Sequence, residues 1–340
     1  MIDVPKYNGV EAGIQGRFSM KIVRAVAALA ALIVLAYATA QAQTWPDRPI
    51  RVIVPFAAGG STDVAARLIG DYLSRSLKQQ VVVENRTGAN GNIGTEAAAK
   101  SAPDGYTVLI APESVTSNPH VYKVNYDPLT DLTPVIQLSR QPVVLAAHPG
   151  LGIKTLGELV ALVKKQPGLR YATGSGVGSG QHMVTQWFAK IAGIELTQVS
   201  YRGGGQAIND LIAGHVQIGT LGSTPLIPHY RAGKLLLLAQ STAQRAASLP
   251  DVPTFQEAGI KGLVFDQWLG VFVPAGTPAA VTARLSAEIG KALDEPAIRA
   301  NFEKAAQEPI GGSAAAFGRL VRGDIAKFEK LAKDLNMKVN

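Results

Sequence analysis

The sequence predicts an α/β protein of two similar lobes joined by two extended crossings. Three observations carry that expectation. Short β-branched runs alternate with longer runs of helical spacing. The alternation is gone through twice, and a long extended stretch separates the two passes. Alternation of this kind implies parallel sheets with helices on their faces.

The first pass opens with IRVIVPF (50–56), dense in β-branched residues and without alternation, as a strand buried on both faces should be. Val64, Ala65, Leu68, Ile69, Tyr72, Leu73 and Leu77 then recur at helical spacing. VVVEN (81–85) reads as the second strand, a Gly/Asn loop and a short helix over 95–100 follow, and YTVLIA (106–111) is the third strand. The stretch 135–149 is long enough to cross between lobes. In the second pass TLGE (155–158) has the form of a capping box, with Thr155 capping a helix over 155–165 and Glu158 reaching back. Strands are expected at 169–173, 196–201 and 216–221, and helices at 181–191 and 206–213. The apolar run 235–241 is expected to return the chain to the first lobe, where 265–278 and further helices complete it. The expected division is 43–140 with 243–340 as domain 1, and 141–242 as domain 2.

The ends and the composition narrow the function. Met20 to Arg24 brings two positive charges, Ala25–Ala40 is an apolar run of about 16 residues, and Ala40-Gln41-Ala42 is a small-x-small site. That is the form of a cleavable export leader, and it falls short of the ~20 residues of a membrane span. Residues 1–42 are therefore expected to be leader and upstream sequence, with Met20 as the true start and the mature chain beginning near Gln43 in the periplasm. Cysteine is absent, which excludes disulfides and thiolate metal sites. The leader holds four basic and two acidic residues, so 33 against 25 becomes 29 against 23 in the mature chain, a net charge of +6. A mild positive field favours anionic ligands. The basic residues are scattered, with no run longer than Lys164-Lys165, so no nucleic-acid patch is expected.

Four glycine-rich loops lie where a strand gives way to a helix: Gly59-Gly60-Ser61-Thr62, 85–94 (NRTGANGNIG), 173–180 (TGSGVGSG) and 201–205 (YRGGG). In open parallel sheets the carboxyl ends of the strands line the ligand crevice. Helix N-termini there present unpaired N–H groups and a partial positive charge. Glycine lets a ligand approach that backbone with no Cβ in the way. Two such loops from each lobe would hold a carboxylate or phosphate without a charged side chain. Each has a plainer reading as well. Ser61 or Thr62 could be only an N-cap, and Asp63 only a first-turn acid complementing the helix dipole. His182 could be packed, Arg202 solvated, and Phe56 and Trp268 core aromatics.

Several catalytic signatures are absent. There is no G-x-x-x-x-G-K-[ST], no G-x-G-x-x-G and no G-x-S-x-G, and the histidines at 120, 148, 182, 215 and 229 show no metal spacing. No catalytic residue, metal ligand or cofactor is nominated. The rivals are a secreted hydrolase using Ser175 or Ser179 with His182, and a ligand-sensing receptor for a signalling partner.

WPDRPIRVIVPFAAGGSTDVAAR, ENRTGANGNIGTEAAAKSAPDGYTVLIA, LRYATGSGVGSGQHM, VSYRGGGQAINDLIAGHVQIG and DVPTFQEAG followed by FVPAGTP stand in this order from Trp45 towards the C-terminus. Together they resemble the Bug family, the periplasmic solute receptors of tripartite tricarboxylate transporters. The resemblance implies a type II periplasmic-binding-protein fold, with two α/β domains on a two-strand hinge closing over an organic acid between them. It implies a non-enzymatic, monomeric receptor that delivers a small organic acid to two membrane subunits. It also implies that loops 56–63 and 173–182 pinch the ligand carboxylate. On that basis Phe56, Ala58, Gly59, Gly60, Ser61 and Thr62 are expected at the site from the first loop, and Thr173, Gly174, Ser175, Ser179 and His182 from the second. Asn92, Ser114, Tyr201 and Gly204 are expected to flank them, and Asp266, in the stretch Asp266-Gln267-Trp268, to read the far end of the ligand.

Overall fold

The computed structural model describes residues 45–338 and, separately, Asp3. Apart from Asp3, the expected upstream residues and leader over 1–42, the start at Met20 and the mature terminus near Gln43 lie outside the described residues. From Arg48 onward the chain packs as one unit.

The first half-sheet is built on β1 (Ile50–Val54), β2 (Val81–Asn85) and β3 (Thr107–Pro112), parallel and in the order β2-β1-β3. Helices α1 (Ser61–Leu77) and α2 (Asn92–Ala99) connect them. β1 and β3 are apolar almost throughout because both faces are covered. α1 turns Ala65, Ala66, Ile69 and Leu73 inward at helical spacing, and left-handed Lys78 ends it. A short helix α3 (Ser114–Ser117) follows β3 directly.

β4 (Leu132–Ala147) is the shared spine. Its first part pairs antiparallel with β9 (Asp266–Pro274), which pairs in turn with β3. Its last residues pair antiparallel with β7 (Ile218–Gly222) and β8 (Leu236–Gln240). The second half-sheet repeats the first: β5 (Leu169–Thr173), β6 (Leu196–Ser200) and β7 are parallel in the order β6-β5-β7. Its helices are α4 (Leu156–Lys165), α5 (Gly180–Ala192), α6 (Gly204–Ile212) and α7 (Ser223–Arg231). The capping box expected at α4 is present, both Thr155 and Glu158 making their reciprocal bonds. The chain ends with α8 (Ala279–Asp294), α9 (Pro296–Lys304), β10 (Glu308–Gly311) and α10 (Ala314–Asp334).

Three features differ from the sequence reading. β8 stays in the second half-sheet, and the return occurs where Phe265 N–H bonds the Ser241 carbonyl and β9 begins. The segment between them buries Phe255, Ile260, Leu263 and Phe265 against Phe188 and Leu145 of the second half. α7 was not expected, because Pro225 and Pro228 obscure a helical signal; Pro225 sits in the first turn, where its missing N–H costs nothing. β10, sequence EPIG, falls where only helices are expected, and it is a strand through its pairing with β4. Trp268 lies in the first core, edge-on to Phe317 at 5.3 Å, with its indole N–H donated to Asp324.

Candidate functional site

A cavity lies where the carboxyl ends of the strands of both half-sheets face one another. It is lined by the starts of three helices, α1 (Gly60 to Asp63), α6 (Gly204) and α7 (Gly222, Pro225), with Gly174, Ser175, Ser179 and Gln181 of the β5–α5 loop and Phe56, Pro112, Glu113, Ser114 and Gln267. The N-caps of α1, α6 and α7 are Gly60, Gly203 and Gly222, and none of them supplies a side-chain cap. Their first-turn N–H groups are thus left to whatever enters the cavity. No lysine or arginine is among the lining residues.

Glycine is required by closeness here. A Cβ on Gly174 would sit 2.6 Å from Gly204 N and 2.7 Å from Gly204 Cα, so any side chain would drive the two loops apart. Gly59 answers a different need, its φ of +83° turning the chain into α1. The opposing loops touch directly. Ala57 N–H donates to the Arg202 carbonyl at 3.0 Å, and Gly176 N–H to Asn90 Oδ1 at 2.9 Å. The free volume left is about 30 Å³, room for a water or two. Small-molecule sites run to roughly 300 Å³ and more, so the described conformation is shut.

Asp63 is more than a first-turn acid. It is 3% exposed, and its carboxylate takes Gly59 N–H at 3.0 Å, Asn85 Nδ2 at 2.9 Å and both Nε and Nη2 of Arg67. Burial pushes its pKa up, but the bonds from Arg67, Asn85 and Gly59 outweigh burial and hold it below the usual carboxylate range. Asn85 also donates to the Phe56 carbonyl, so this cluster holds the whole 56–63 loop in shape.

Glu113 was not anticipated, although it stands next to Ser114. It is 1% exposed, Oε1 accepts from Gly180 N–H at 3.1 Å and Gln267 Nε2 at 3.4 Å, and Oε2 has no partner among the described residues. Burial raises its pKa to about 7, opposed by bonds from its own backbone, Gln267 and Gly180. Gln267 accepts in turn from Gln141 at 2.8 Å, whose own Oε1 takes the hydroxyls of Ser223 and Thr224. A buried polar chain therefore joins the start of α7 to the strands that connect the halves. Asparagine and glutamine carry no sequence signal of such pairing, so this chain could not be read in advance.

Of the expected site residues, Phe56, Gly60, Ser61, Thr62, Ser114, Gly174, Ser175, Ser179 and Gly204 line the cavity. Gly59 shapes the loop from outside it, and Ala58 reaches the opposing loop only through its backbone, beside Gly205. Asn92 lies beneath, its Oδ1 accepting from Asn118 and from the Tyr126 hydroxyl. Thr173 is fully buried and donates to the Ser175 carbonyl, and Tyr201 donates to Asp210 at 2.6 Å. His182 accepts Gly178 N–H at Nδ1 and stacks on Tyr171, and burial pushes its pKa down to about 4. Ser179 Oγ accepts the backbone N–H of His182 rather than facing its ring. Asp266 is displaced most: successive residues of a strand point to opposite faces, so Gln267 faces the cavity while Asp266 lines a separate groove of about 740 Å³.

A family model described as the tripartite tricarboxylate transporter family receptor matches residues 65–337. The chain belongs to that family. Protein BugT of Bordetella pertussis is 36% identical over 296 residues, 86% of this chain and 91% of the relative. A Rhodopseudomonas palustris protein solved with adipate superposes with a TM-score of 0.84 at 34% identity, over 87% of this chain and all of that one. MatC of Rhodopseudomonas palustris, solved with bound malate, superposes with a TM-score of 0.79 at 30% identity, over 84% of this chain and 99% of its own. The receptor thus has the α/β fold of periplasmic solute-binding proteins. Among the described residues no helix is long and apolar enough to cross a membrane.

Proposed function

We propose that this receptor captures a small organic carboxylate in the cavity between its half-sheets and delivers it to the membrane subunits of a tripartite transporter. The observation that carries this reading is the meeting of three glycine-capped helix starts at one cavity without a lysine or arginine in its lining. Peptide N–H groups at helix starts hold carboxylates well, and they do so better once water is excluded. Relatives solved with adipate and with malate support an organic acid as the ligand.

The shut cavity requires a hinge. Residues 141–265 would swing against the remainder about β4 and the β8–β9 passage, breaking bonds such as Ala57–Arg202 and Asn90–Gly176. Closure on the acid then shifts the population towards the form the transporter reads. The chain works as a monomer, exported by the leader that begins at Met20 and ends near Ala42, and without catalysis. Against a hydrolase using Ser175 or Ser179, His182 Nδ1 accepts the Gly178 N–H, which leaves the proton on the other ring nitrogen rather than a base free to take one from a serine.

The test is a thermal-shift and calorimetric screen of dicarboxylates, aromatic acids and amino acids. An acid at 100 times its Kd should add about 2.7 kcal/mol of unfolding stability. No response to any of them would end the carboxylate reading.

A further inference from the structure

Glu113 is at odds with the rest of the cavity. The lining is rich in donors: the first-turn N–H groups of α1, α6 and α7, and the hydroxyls of Ser61, Ser114 and Ser175. The other acid, Asp63, already has its oxygens filled by Arg67, Asn85 and Gly59. Glu113 has one oxygen filled and one without a partner among the described residues, while its side chain is wholly buried. Gln267 does not complete it, because its Nε2 donates to the other oxygen, Oε1. A buried carboxylate oxygen without a donor is costly. A ligand carboxylate would worsen this by adding a second negative charge; a ligand cation would relieve it.

We propose that the cavity selects acids bearing a protonated amine, the ligand carboxylate resting on the glycine-capped helix starts and its ammonium donating to Glu113 Oε2. The inference rests on the carboxylate-receptor reading and adds which acids are preferred. Asp266 plays no part in it, lying on the opposite face of β9.

The same geometry sets the pH dependence. Asp63 of α1 shares the cavity lining with Glu113, His182 stands two residues along α5 from the Gly180 N–H that bonds it, and Asp324 of α10 in turn feels the charges of Lys327 and of Asp266 of β9. Asp324 acts on Glu113 directly and pushes it upward, in addition to burial. His182 is neutral above about 4, and Asp63 is held ionised. Ammonium binding needs ionised Glu113, so affinity for an amino acid should weaken as pH falls below about 7, by up to about tenfold per pH unit.

The experiment uses calorimetry on the full chain with straight-chain dicarboxylates of four to eight carbons, each paired with its 2-amino derivative, beginning with succinate and aspartate. In the pair that binds, the amino acid should be at least about tenfold tighter at pH 8, a difference of ~1.4 kcal/mol. Glu113→Gln keeps Oε1 and replaces the open oxygen by an amide N–H donor, so it should abolish or invert that preference. Equal affinities, a preference for the unsubstituted acid, or a preference unchanged in Glu113→Gln would overturn the proposal. So would affinity that rises on acidification, because that places a protonated Glu113 against a ligand carboxylate. The wild-type pH series stands even if the variant folds poorly. Binding confined to acids without an amine sinks this proposal alone, whereas no binding of any acid in the wider screen sinks the carboxylate reading with it.

Discussion

Replacing Glu113 by glutamine should remove the part of the protein's stability that falls as pH rises. The unfolded chain titrates this group near 4.5, while burial in the native state lifts it to about 7. Between those values the native protein holds the proton more tightly than the unfolded chain does, so stability falls as pH rises through the window and is level above it. At about 1.4 kcal/mol per pH unit, the interval from 4.5 to about 7 amounts to roughly 3 kcal/mol. His182 slopes the other way: burial holds it down to about 4, so its share of stability is complete above the unfolded value near 6.5 and drains away as pH falls. The bare curve of the wild type therefore mixes two opposed trends, and the informative quantity is wild type minus variant. Urea unfolding at intervals from pH 5 to pH 8 measures it. The variant should gain on the wild type steadily towards neutral pH, and by roughly 2–3 kcal/mol overall. Parallel curves for the two proteins would refute the argument, since they would mean that Glu113 is ionised as readily in the fold as outside it.

Other substitutions test the rest of the site. Gly174→Ala places a methyl 2.6 Å from Gly204 N; overpacking of this kind costs about 1–3 kcal/mol, and here the cost falls on the closed form, so calorimetry should show at least about tenfold weaker acid binding with little change in Tm. Asp63→Ala frees Arg67, Asn85 and Gly59 together and should cost roughly 2–3 kcal/mol in chemical denaturation, with weaker binding. His182→Ala strands the Gly178 N–H and should cost about 1–3 kcal/mol, and the wild-type imidazole should remain neutral in NMR spectra at pH 6. Asp266→Asn should leave acid affinity unchanged; a large loss would return that residue to the binding machinery.

Much of the fold was legible because it is written in short-range patterns. The unbroken β-branched run of β1, the 3.6-residue spacing of α1 and the capping box of α4 are each properties of a few neighbouring residues. Elements whose form depends on a distant partner were not legible. α7 tolerates two prolines, and β10 is a strand only because β4 lies alongside. The site divides in the same way. Gly60, Ser61, Gly174, Ser175 and Gly204 announced themselves as glycine and hydroxyl residues between strand and helix. Glu113 did not, and Gln267 was marked only as part of the 266–268 stretch, because what singles both out is a contact spanning 154 positions of sequence.

By itself the sequence determined the two α/β passes, the glycine-capped turns at the strand ends and the receptor family, since each resides in local order along the chain. The tertiary structure alone decided which atoms meet. One step along β9 exchanges Asp266 for Gln267 at the cavity, and packing of both halves around β3 leaves Glu113 buried with one oxygen open. The physical reason is that burial and hydrogen-bond satisfaction belong to the surroundings of a residue, and those surroundings are assembled from segments far apart in the chain.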